Sequence, residues 1–382
     1  MRHYYFDHNA TTPLAPEVLA DLTRTLSEVS GNASSIHHFG QAAKQRLEQA
    51  RRELAALLVC DAKEIVFTSG GTESDNLAVF GVIPGSPAGK HIVTSAIEHP
   101  AVLNSCARLE KAGAAVTYVA PDSDGLIHPS SIASAMRRET VLVTIMHANN
   151  ETGVIQPIRE IAAIAHDAGA LLHSDGVQMA GRMPVCIREL GVDLYAVSGH
   201  KFGAPKGIGA LYVRKGTVLD PILYGGRHER ERRAGTENVP GAAAIGRAAT
   251  LSFDWNTLAT LRDRMEREIL QRVPGAYVNG LTAPRIPNTS SIRFDGIEGE
   301  AIVISMDLAG YAISSGSACS SGAVEPSHVL LAMGLSPEQA RSSIRISLGP
   351  SNTSEDVDGL VEALVHSVAH LRRVSTAVLA HA

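Results

Sequence analysis

The sequence is poor in the features that mark secreted, membrane-bound and nucleic-acid-binding proteins. Its 382 residues include only four cysteines, which form no Cys-x-x-Cys pair: Cys60, Cys106, Cys186 and Cys319. Such sparse cysteines argue against a disulfide framework or a zinc site and predict a reducing cytoplasm. No apolar run approaches the roughly 18 residues of a membrane-spanning helix, and the first residues lack the apolar core of a signal peptide.

The charge balance argues against proteins that bind nucleic acid or anionic membranes. The chain carries a formal net charge of −5, and charged residues make up 19% of it against 45% hydrophobic residues. This balance is that of an ordinary globular protein and predicts no basic face for nucleic acid or for an anionic membrane. A chain of this length is long for one hydrophobic core, so two domains are expected.

Strand and helix patterns alternate between residues 64 and 213. Short β-prone runs occur at 64–67, 91–95, 115–119, 141–146, 170–173, 193–197 and 208–213. Helical patterns lie between most of them, which predicts an α/β fold with a mostly parallel sheet covered by helices on both faces. After Gly216 helices and short strands are mixed. We therefore expect a large α/β domain at 14–252 and a smaller α+β domain formed by 1–13 and 253–382.

The strand predicted at 193–197 ends in the polar residues Ser198, Gly199, His200 and Lys201. Open α/β sheets place their ligands at the carboxyl ends of their strands. A lysine at that edge is partly desolvated, which lowers its pKa and makes it a candidate Schiff-base former. The alternative is an ordinary solvated lysine, because lysine is seldom buried.

Polar residues also follow four other predicted strands. Gly71 and Thr72 open a helix, where free backbone N–H groups and the helix dipole favour a phosphate. His99 and Asn149 follow the strands at 91–95 and 141–146, and Asp175 follows the strand at 170–173. These strand ends are expected to meet at one edge of the sheet.

An acid and a lysine at neighbouring strand ends suit pyridoxal phosphate. Asp175 would pair with the pyridinium nitrogen and keep it protonated, and Lys201 would bind the aldehyde carbon. Gln178 is a candidate donor to the phenolic oxygen, and Ser198 with His200 would hold the phosphate. Structural explanations remain open for some of the side chains: His99 would also fit a core histidine, and Asn149 and Gln178 would fit structural amides.

Five motifs occur in order along nearly the whole chain. They are Phe6-Asp-His-Asn-Ala-Thr-Thr-Pro13, Thr68-Ser-Gly-Gly-Thr-Glu-Ser-Asp-Asn76, Ser174-Asp-Gly-Val-Gln178, Ser198-Gly-His-Lys201 and Ser343-Ile-Arg-Ile-Ser-Leu-Gly349. In these motifs the chain resembles the class V pyridoxal-phosphate enzymes of fold type I, and specifically the cysteine desulfurases of iron–sulfur assembly and nitrogen fixation. The large domain would then bind the cofactor, and the small domain would carry the cysteine loop.

The resemblance implies a role for each of a set of residues. Lys201 is implied to form the Schiff base with the cofactor, Asp175 to pair with its ring nitrogen and His99 to stack over the ring. Gln178 and Asn149 are implied to border cofactor and substrate. The implied phosphate contacts are Gly71, Thr72, Ser198, His200 and, from the neighbouring subunit of a homodimer with shared sites, Thr236. Arg345 is implied to bind the substrate α-carboxylate, which suits its planar two-donor side chain.

The segment around Cys319 decides the expected chemistry. Seven of the nine residues at 314–322 are serine or glycine, so the segment buries little and is predicted to be mobile. A cysteine in such a segment is a candidate nucleophile. The segment resembles the long cysteine loop of the first desulfurase group.

The resemblance implies that the protein converts L-cysteine to L-alanine and leaves a persulfide on Cys319. Lys201 is expected to remove the Cα proton, and His99 to manage the proton at the leaving sulfur. The sulfur is expected to go to an iron–sulfur scaffold or another acceptor protein. Cys319 is a candidate transient ligand of an iron–sulfur cluster, and no resident metal site is expected. The alternatives are a selenocysteine lyase, another lyase or an aminotransferase dependent on pyridoxal phosphate, and a non-catalytic subunit.

Overall fold

The computed structural model describes residues 3–315 and 325–380, with side chains up to residue 374. Its helices are α1 (Pro16–Glu28), α2 (His38–Leu58), α3 (Gly71–Gly81), α4 (Pro100–Lys111), α5 (Pro129–Ala135), α6 (Ile158–Asp167), α7 (Ile187–Leu190), α8 (Val239–Ala249), α9 (Trp255–Arg272), α10 (Gly299–Leu308), α11 (His328–Ala332), α12 (Pro337–Arg341) and α13 (Ser354–Ala380). Its strands are β1 (Tyr4–Tyr5), β2 (Ile65–Thr68), β3 (His91–Ser95), β4 (Ala115–Val119), β5 (Thr140–Thr144), β6 (Leu171–Asp175), β7 (Leu194–Ser198), β8 (Gly209–Val213), β9 (Ala276–Val278), β10 (Thr289–Phe294), β11 (Tyr311–Ala312), β12 (Ser314–Ser315) and β13 (Ser343–Ser347).

A seven-stranded sheet forms the centre of the larger part, in the order β2-β8-β7-β6-β5-β3-β4. The pairs from β7 to β4 are parallel, whereas β8 is antiparallel to both of its neighbours, β2 and β7. The predicted α/β fold with a mostly parallel sheet is therefore confirmed. The reversal at β8 follows from the short connection at 199–208, since a parallel crossover needs about a dozen residues or more.

Most strands of this sheet are buried on both faces. Every residue of β2, β3, β7 and β8 is buried. Such strands consist mostly of apolar residues because helices cover both sides of the sheet. Helix α3 packs against β7 and β8, and α8 packs against α1 and α2. Side chains that leave the sheet at the carboxyl ends of its strands are thus held on a rigid support.

A second, antiparallel sheet of order β12-β13-β10-β9 lies in the carboxyl-terminal part of the chain. It has its own hydrophobic core, to which Phe6, Phe294, Met306 and Ile344 belong. Helix α13 packs against α9 and α10 beside it. Within the described residues, no helix is long and apolar enough to cross a bilayer.

The segment 4–12 connects the two sheets. Strand β1 pairs in parallel with β11 as a separate two-stranded sheet, and just beyond it the N–H of Ser347 in β13 donates to the carbonyl of Phe6 at 2.8 Å. Further along, the N–H of Thr12 donates to the carbonyl of His200 at 2.8 Å, directly after β7. The first residues therefore run from the smaller sheet to the end of a central strand of the larger one.

Candidate active site

A cavity of about 230 Å³ opens where the central strands of the larger sheet end. Nine of the twelve residues predicted from the sequence line it: Gly71, Thr72, His99, Asp175, Gln178, Ser198, His200, Lys201 and Arg345. They come from segments that follow β2, β3, β6 and β7 and from β13. The larger sheet and the smaller one therefore both contribute to a single site.

Lys201 lies at the end of a single 3₁₀ turn, Gly199–Lys201, that follows β7. Its Nζ donates to the carbonyl oxygens of Asn9 and Ala10, at 2.6 and 2.9 Å. These acceptors belong to the segment that crosses from the smaller sheet. The ammonium group is thus directed into the cavity by the chain's first residues.

Asp175 is the last residue of β6, and its Oδ1 accepts the N–H of Val177 at 2.9 Å. Burial raises the pKa of Asp175, while His99, the Val177 N–H and Lys201 oppose the rise. A cation bound against this carboxylate would be stabilised strongly, because Asp175 is 6% exposed and solvent screens its charge little.

His99 caps the amino terminus of α4, and its Nδ1 accepts the N–H of Ala101 at 3.1 Å. Burial lowers the pKa of His99; the positive charges of Lys201 and His328 act in the same direction, and Asp175 opposes them. A neutral imidazole that accepts at Nδ1 carries its proton on Nε2. The ring is therefore set to donate one proton from a fixed nitrogen.

The amino terminus of α3 provides a cradle for an anion. A Cβ added at Gly71 would lie 2.8 Å from Val177 Cγ2 and 3.5 Å from Ser198 Cβ, so a side chain there would fill the space. The helix dipole and free N–H groups favour negative charge at this position. His200 lies nearby with its Nδ1 3.1 Å from Thr11 Oγ1, and burial together with Lys201 lowers its pKa to about 4. His200 is thus neutral near pH 7.

This set of groups fits pyridoxal phosphate. Asp175 offers a carboxylate for the ring nitrogen, Lys201 offers an amine for the aldehyde, and the start of α3 offers a phosphate cradle. The three features surround one cavity, so one ligand that carries a ring nitrogen, an aldehyde and a phosphate can contact all of them.

Arg182 is a site residue that the sequence did not reveal. It is 1% exposed, and its guanidinium donates to Asn9 Oδ1 at 2.8 Å and to Gln178 Oε1. It also donates to the carbonyls of His8 and Lys201, at 2.9 and 3.2 Å. Arg182 thereby fixes the Gln178 amide and the backbone on either side of the lysine. No local pattern in the sequence marks this role, because most of its partners are distant along the chain.

Arg345 lies on β13 and is 2% exposed. Its Nη2 donates to Asp7 Oδ1 at 2.7 Å, and its Nη1 donates to the carbonyl of Asn150 at 3.1 Å. Its Nε is buried without a hydrogen-bond partner among the described residues. This leaves guanidinium hydrogens for a carboxylate in the cavity.

Asn149 has a structural task in the described geometry. It is fully buried; its Nδ2 donates to the carbonyl of Ile97, and its Oδ1 accepts the N–H groups of Glu151 and Thr152. Its neighbour Asn150 lines the cavity instead.

Two other predicted residues lie elsewhere. Thr236 lines a separate cavity of about 220 Å³, beside Arg233 and Glu229. Cys319 lies outside the described residues.

The described chain resumes after residue 324 close to the cavity. Ser327 Oγ donates to Glu151 Oε2, and His328 Nε2 lies 3.0 Å from the carbonyl of Glu98, the residue before His99. On the other side of the gap, Ser314 is paired with Arg345 in the smaller sheet. Both ends of the undescribed segment are thus attached to walls of the site.

Comparisons with known proteins agree with this geometry. Residues 4–360 match the family model described as aminotransferase class-V. A curated relative from Dictyoglomus turgidum, described as cysteine desulfurase IscS, is 45% identical over 380 residues, which are 98% of this chain and 96% of the relative. A solved structure titled NIFS-LIKE PROTEIN superposes with a TM-score of 0.89 at 35% identity and covers 97% of this chain and 100% of its own. Another, titled SspA in complex with cysteine, gives a TM-score of 0.82 at 35% identity and covers 91% of this chain and 99% of its own.

Proposed function

Because this chain belongs to the class-V aminotransferase family, we propose that it acts as a cysteine desulfurase dependent on pyridoxal phosphate. It converts L-cysteine to L-alanine and retains the sulfur as a persulfide on Cys319. The observation that carries the proposal is the convergence of Lys201, Asp175 and Arg345 on one cavity. The first two serve the cofactor, and the third serves an amino-acid carboxylate.

Pyridoxal phosphate would be held at three places. Asp175 would pair with the ring nitrogen, Lys201 would offer its amine to the aldehyde carbon, and Gly71 with Thr72 would receive the phosphate at the start of α3. Ser198 and His200 would complete the phosphate site, and Gln178 and His99 would contact the ring. When bound, pyridoxal phosphate accepts electrons from the substrate and so makes the bonds at its Cα and Cβ easier to break.

The substrate is held by Arg345. Its guanidinium is already oriented by Asp7 and Asn150 and binds the α-carboxylate with its remaining hydrogens. The Lys201 Nζ removes the Cα proton as a general base. His99 handles the proton at the substrate sulfur through Nε2, the nitrogen that is not occupied by the helix cap.

Sulfur transfer then needs no external oxidant or reductant. The Cys319 thiolate attacks the substrate sulfur; an S–S bond forms and the bond between that sulfur and the substrate Cβ breaks. The electron pair of the broken bond stays with the carbon fragment, which takes up a proton at Cβ, regains a proton at Cα and leaves as alanine. The attachment of residues 314 and 327 to the walls of the site supports Cys319 as the acceptor, because the intervening segment starts and ends there.

A homodimer with shared sites is part of the proposal. Large apolar side chains are exposed in the segments 36–39 and 218–224, among other places, and exposed apolar surface often marks an interface. They are Ile36 (93% exposed), Phe39 (61%), Val218 (73%), Leu223 (42%) and Tyr224 (88%). Thr236 lies away from the cavity of its own chain, which agrees with a role at the phosphate of the partner.

The persulfide passes its sulfur to an acceptor protein, with an iron–sulfur scaffold the first candidate. We propose a cytoplasmic location, supported by the sparse cysteines of the sequence, of which Cys60, Cys106 and Cys186 are free among the described residues. The name of the Dictyoglomus relative supports the iron–sulfur connection.

The test is a paired assay of the cofactor-loaded protein with L-cysteine. Alanine and sulfide are measured for the wild type, for Cys319→Ala and, as a matched cysteine control, for Cys60→Ala. Wild type and Cys60→Ala are expected to form alanine and reducible sulfur in equal amounts, and Cys319→Ala is expected to lose nearly all turnover while it keeps the bound cofactor. Equal alanine formation by all three proteins would show that Cys319 is not the sulfur acceptor.

A further inference from the structure

Asp75 lies on the wall of the cavity but has no task in the proposed reaction. It belongs to the first turns of α3 and is 1% exposed. One oxygen of its carboxyl group, one of Asp175 and a ring nitrogen of His99 all lie within 4.8 Å of one another. Two buried carboxyl groups therefore share one end of the cavity.

Two carboxyl groups at this distance in a buried site do not both ionise, so the pair keeps one proton at neutral pH. Asp175 is the better stabilised anion, because its Oδ1 accepts the N–H of Val177 and because Lys201 favours its charged form. The proton is therefore expected to reside on the other member of the pair.

Asp75 faces groups that do not favour a negative charge. His173 is fully buried, and its Nε2 lies 3.5 Å from Asp75 Oδ1, while its Nδ1 lies 2.8 Å from Thr144 Oγ1. Burial lowers the pKa of His173 to about 3, so the ring brings no positive charge. Burial is the largest cause that raises the pKa of Asp75, and the nearby carboxyl groups of Asp175 and Glu98 act in the same direction.

We propose that Asp75 is a positioning residue that holds the shared proton and leaves the negative charge on Asp175, where it pairs with the ring nitrogen of pyridoxal phosphate. Because Asp75 stays protonated beside the neutral His173, the single negative charge of the pair stays on Asp175. The inference rests on the proposed cofactor but not on the desulfuration step.

Infrared spectroscopy of the cofactor-loaded protein tests the proton directly. Asp75→Asn replaces a neutral carboxyl group by a neutral amide of nearly the same shape. We expect the wild type to show a protonated-carboxyl C=O band that shifts in D₂O and is lost in Asp75→Asn. Glu98→Gln is the control that identifies the band of the other buried acid. If Asp75→Asn does not fold, Asp75→Ser gives the same comparison.

Cofactor binding provides the second readout. Because no charge is removed, Asp75→Asn is expected to bind pyridoxal phosphate within about twofold of the wild type, with the same pH dependence of the visible absorption, whereas Asp175→Asn is expected to lose about tenfold or more. A protonated-carboxyl signal that is the same in Asp75→Asn as in the wild type, or a loss of affinity equal to that of Asp175→Asn, would overturn the proposal. Neither readout requires turnover, so a failure of the desulfurase assay would leave this test intact.

Discussion

Arg345 and Asp7, which are 338 residues apart in the sequence, form an ion pair of 2.7 Å between Nη2 and Oδ1 at the cavity. The carbonyl of Asn150 accepts from the other terminal nitrogen, so the guanidinium is held from two sides. A substrate carboxylate therefore meets an arginine whose orientation is already fixed. Less conformational freedom is lost on binding than with a free side chain.

Asp7→Asn is expected to raise the KM for L-cysteine about tenfold and to change kcat less, because it releases Arg345 without removing it. Steady-state alanine formation measures both constants. Asp358→Asn, which removes a partner of Arg264 on the surface, is the matched control and is expected to leave KM unchanged. Equal KM values in all three proteins would show that Arg345 is oriented without Asp7.

His99→Gln is expected to lower kcat by about 10²–10⁴, the usual loss when a group that transfers protons is removed. The amide can still cap α4, so the bound cofactor and its absorption should remain. Single-turnover alanine formation and the visible spectrum are the measurements. The exposed His128→Gln serves as control; a His99→Gln protein with wild-type turnover would assign the proton transfer to another group.

Glu98→Gln is expected to change how stability depends on pH. Burial raises the pKa of Glu98 from 4.5 to about 8, against the hydrogen bonds from Ser95 and the Met146 N–H. The folded protein therefore keeps a proton that the unfolded chain releases, so wild-type stability is fully present below about pH 4.5 and declines as the pH rises to about 8.

The glutamine variant lacks this decline. As the pH rises through this range, the free energy of unfolding of Glu98→Gln should increase relative to that of the wild type by on the order of 3–5 kcal/mol. Tm measured at several pH values checks the difference, with the exposed Glu300→Gln as control. Parallel pH profiles for wild type and Glu98→Gln would mean that Glu98 is ionised in the folded protein.

Glu229→Gln is expected to destabilise the protein by about 3 kcal/mol, because it removes the buried counter-charge of Arg51 and leaves only the more exposed Glu48 beside it. The two terminal guanidinium nitrogens of Arg51 donate to Glu229, at 2.7 and 2.8 Å, and the N–H of Phe67 donates to the same carboxylate. Glu231→Gln, in the same turn but exposed, should change stability by less than about 0.5 kcal/mol. Chemical denaturation measures both; equal losses would show that the buried pair adds no stability.

The cofactor end of the site could be predicted from the sequence because its residues follow strands. Lys201, Asp175 and His99 each come shortly after a short apolar run, and parallel strands bring such ends together whatever the details of packing. The same reasoning predicted the α/β fold, since alternating patterns depend only on local periodicity. The resemblance added Arg345, which no local pattern connects to the other residues.

The remaining features depend on contacts between distant residues. The pair of Arg345 with Asp7 and the hydrogen bonds of Arg182 join segments whose spacing in the sequence carries no signal. Asn149 follows a strand as expected, yet its amide oxygen accepts the N–H groups of Glu151 and Thr152 in the turn that comes next. Helix α1 was not predicted from the sequence. Its N-cap residue is Ala15, which makes no side-chain hydrogen bond, so the helix lacks the Ser, Thr, Asp or Asn that usually marks a helix start.

The crossing of segment 4–12 between the two sheets has a consequence for how the chain matures. Residues that leave the ribosome first complete the site only against residues made near the end: the N–H of Asn9 donates to Ser347 Oγ, and its amide donates to Thr289 Oγ1. Contacts of such long sequence separation form late in folding. A growing chain can therefore assemble the larger sheet during synthesis, whereas a complete cavity, and with it a place for the cofactor, forms only after β13 has emerged.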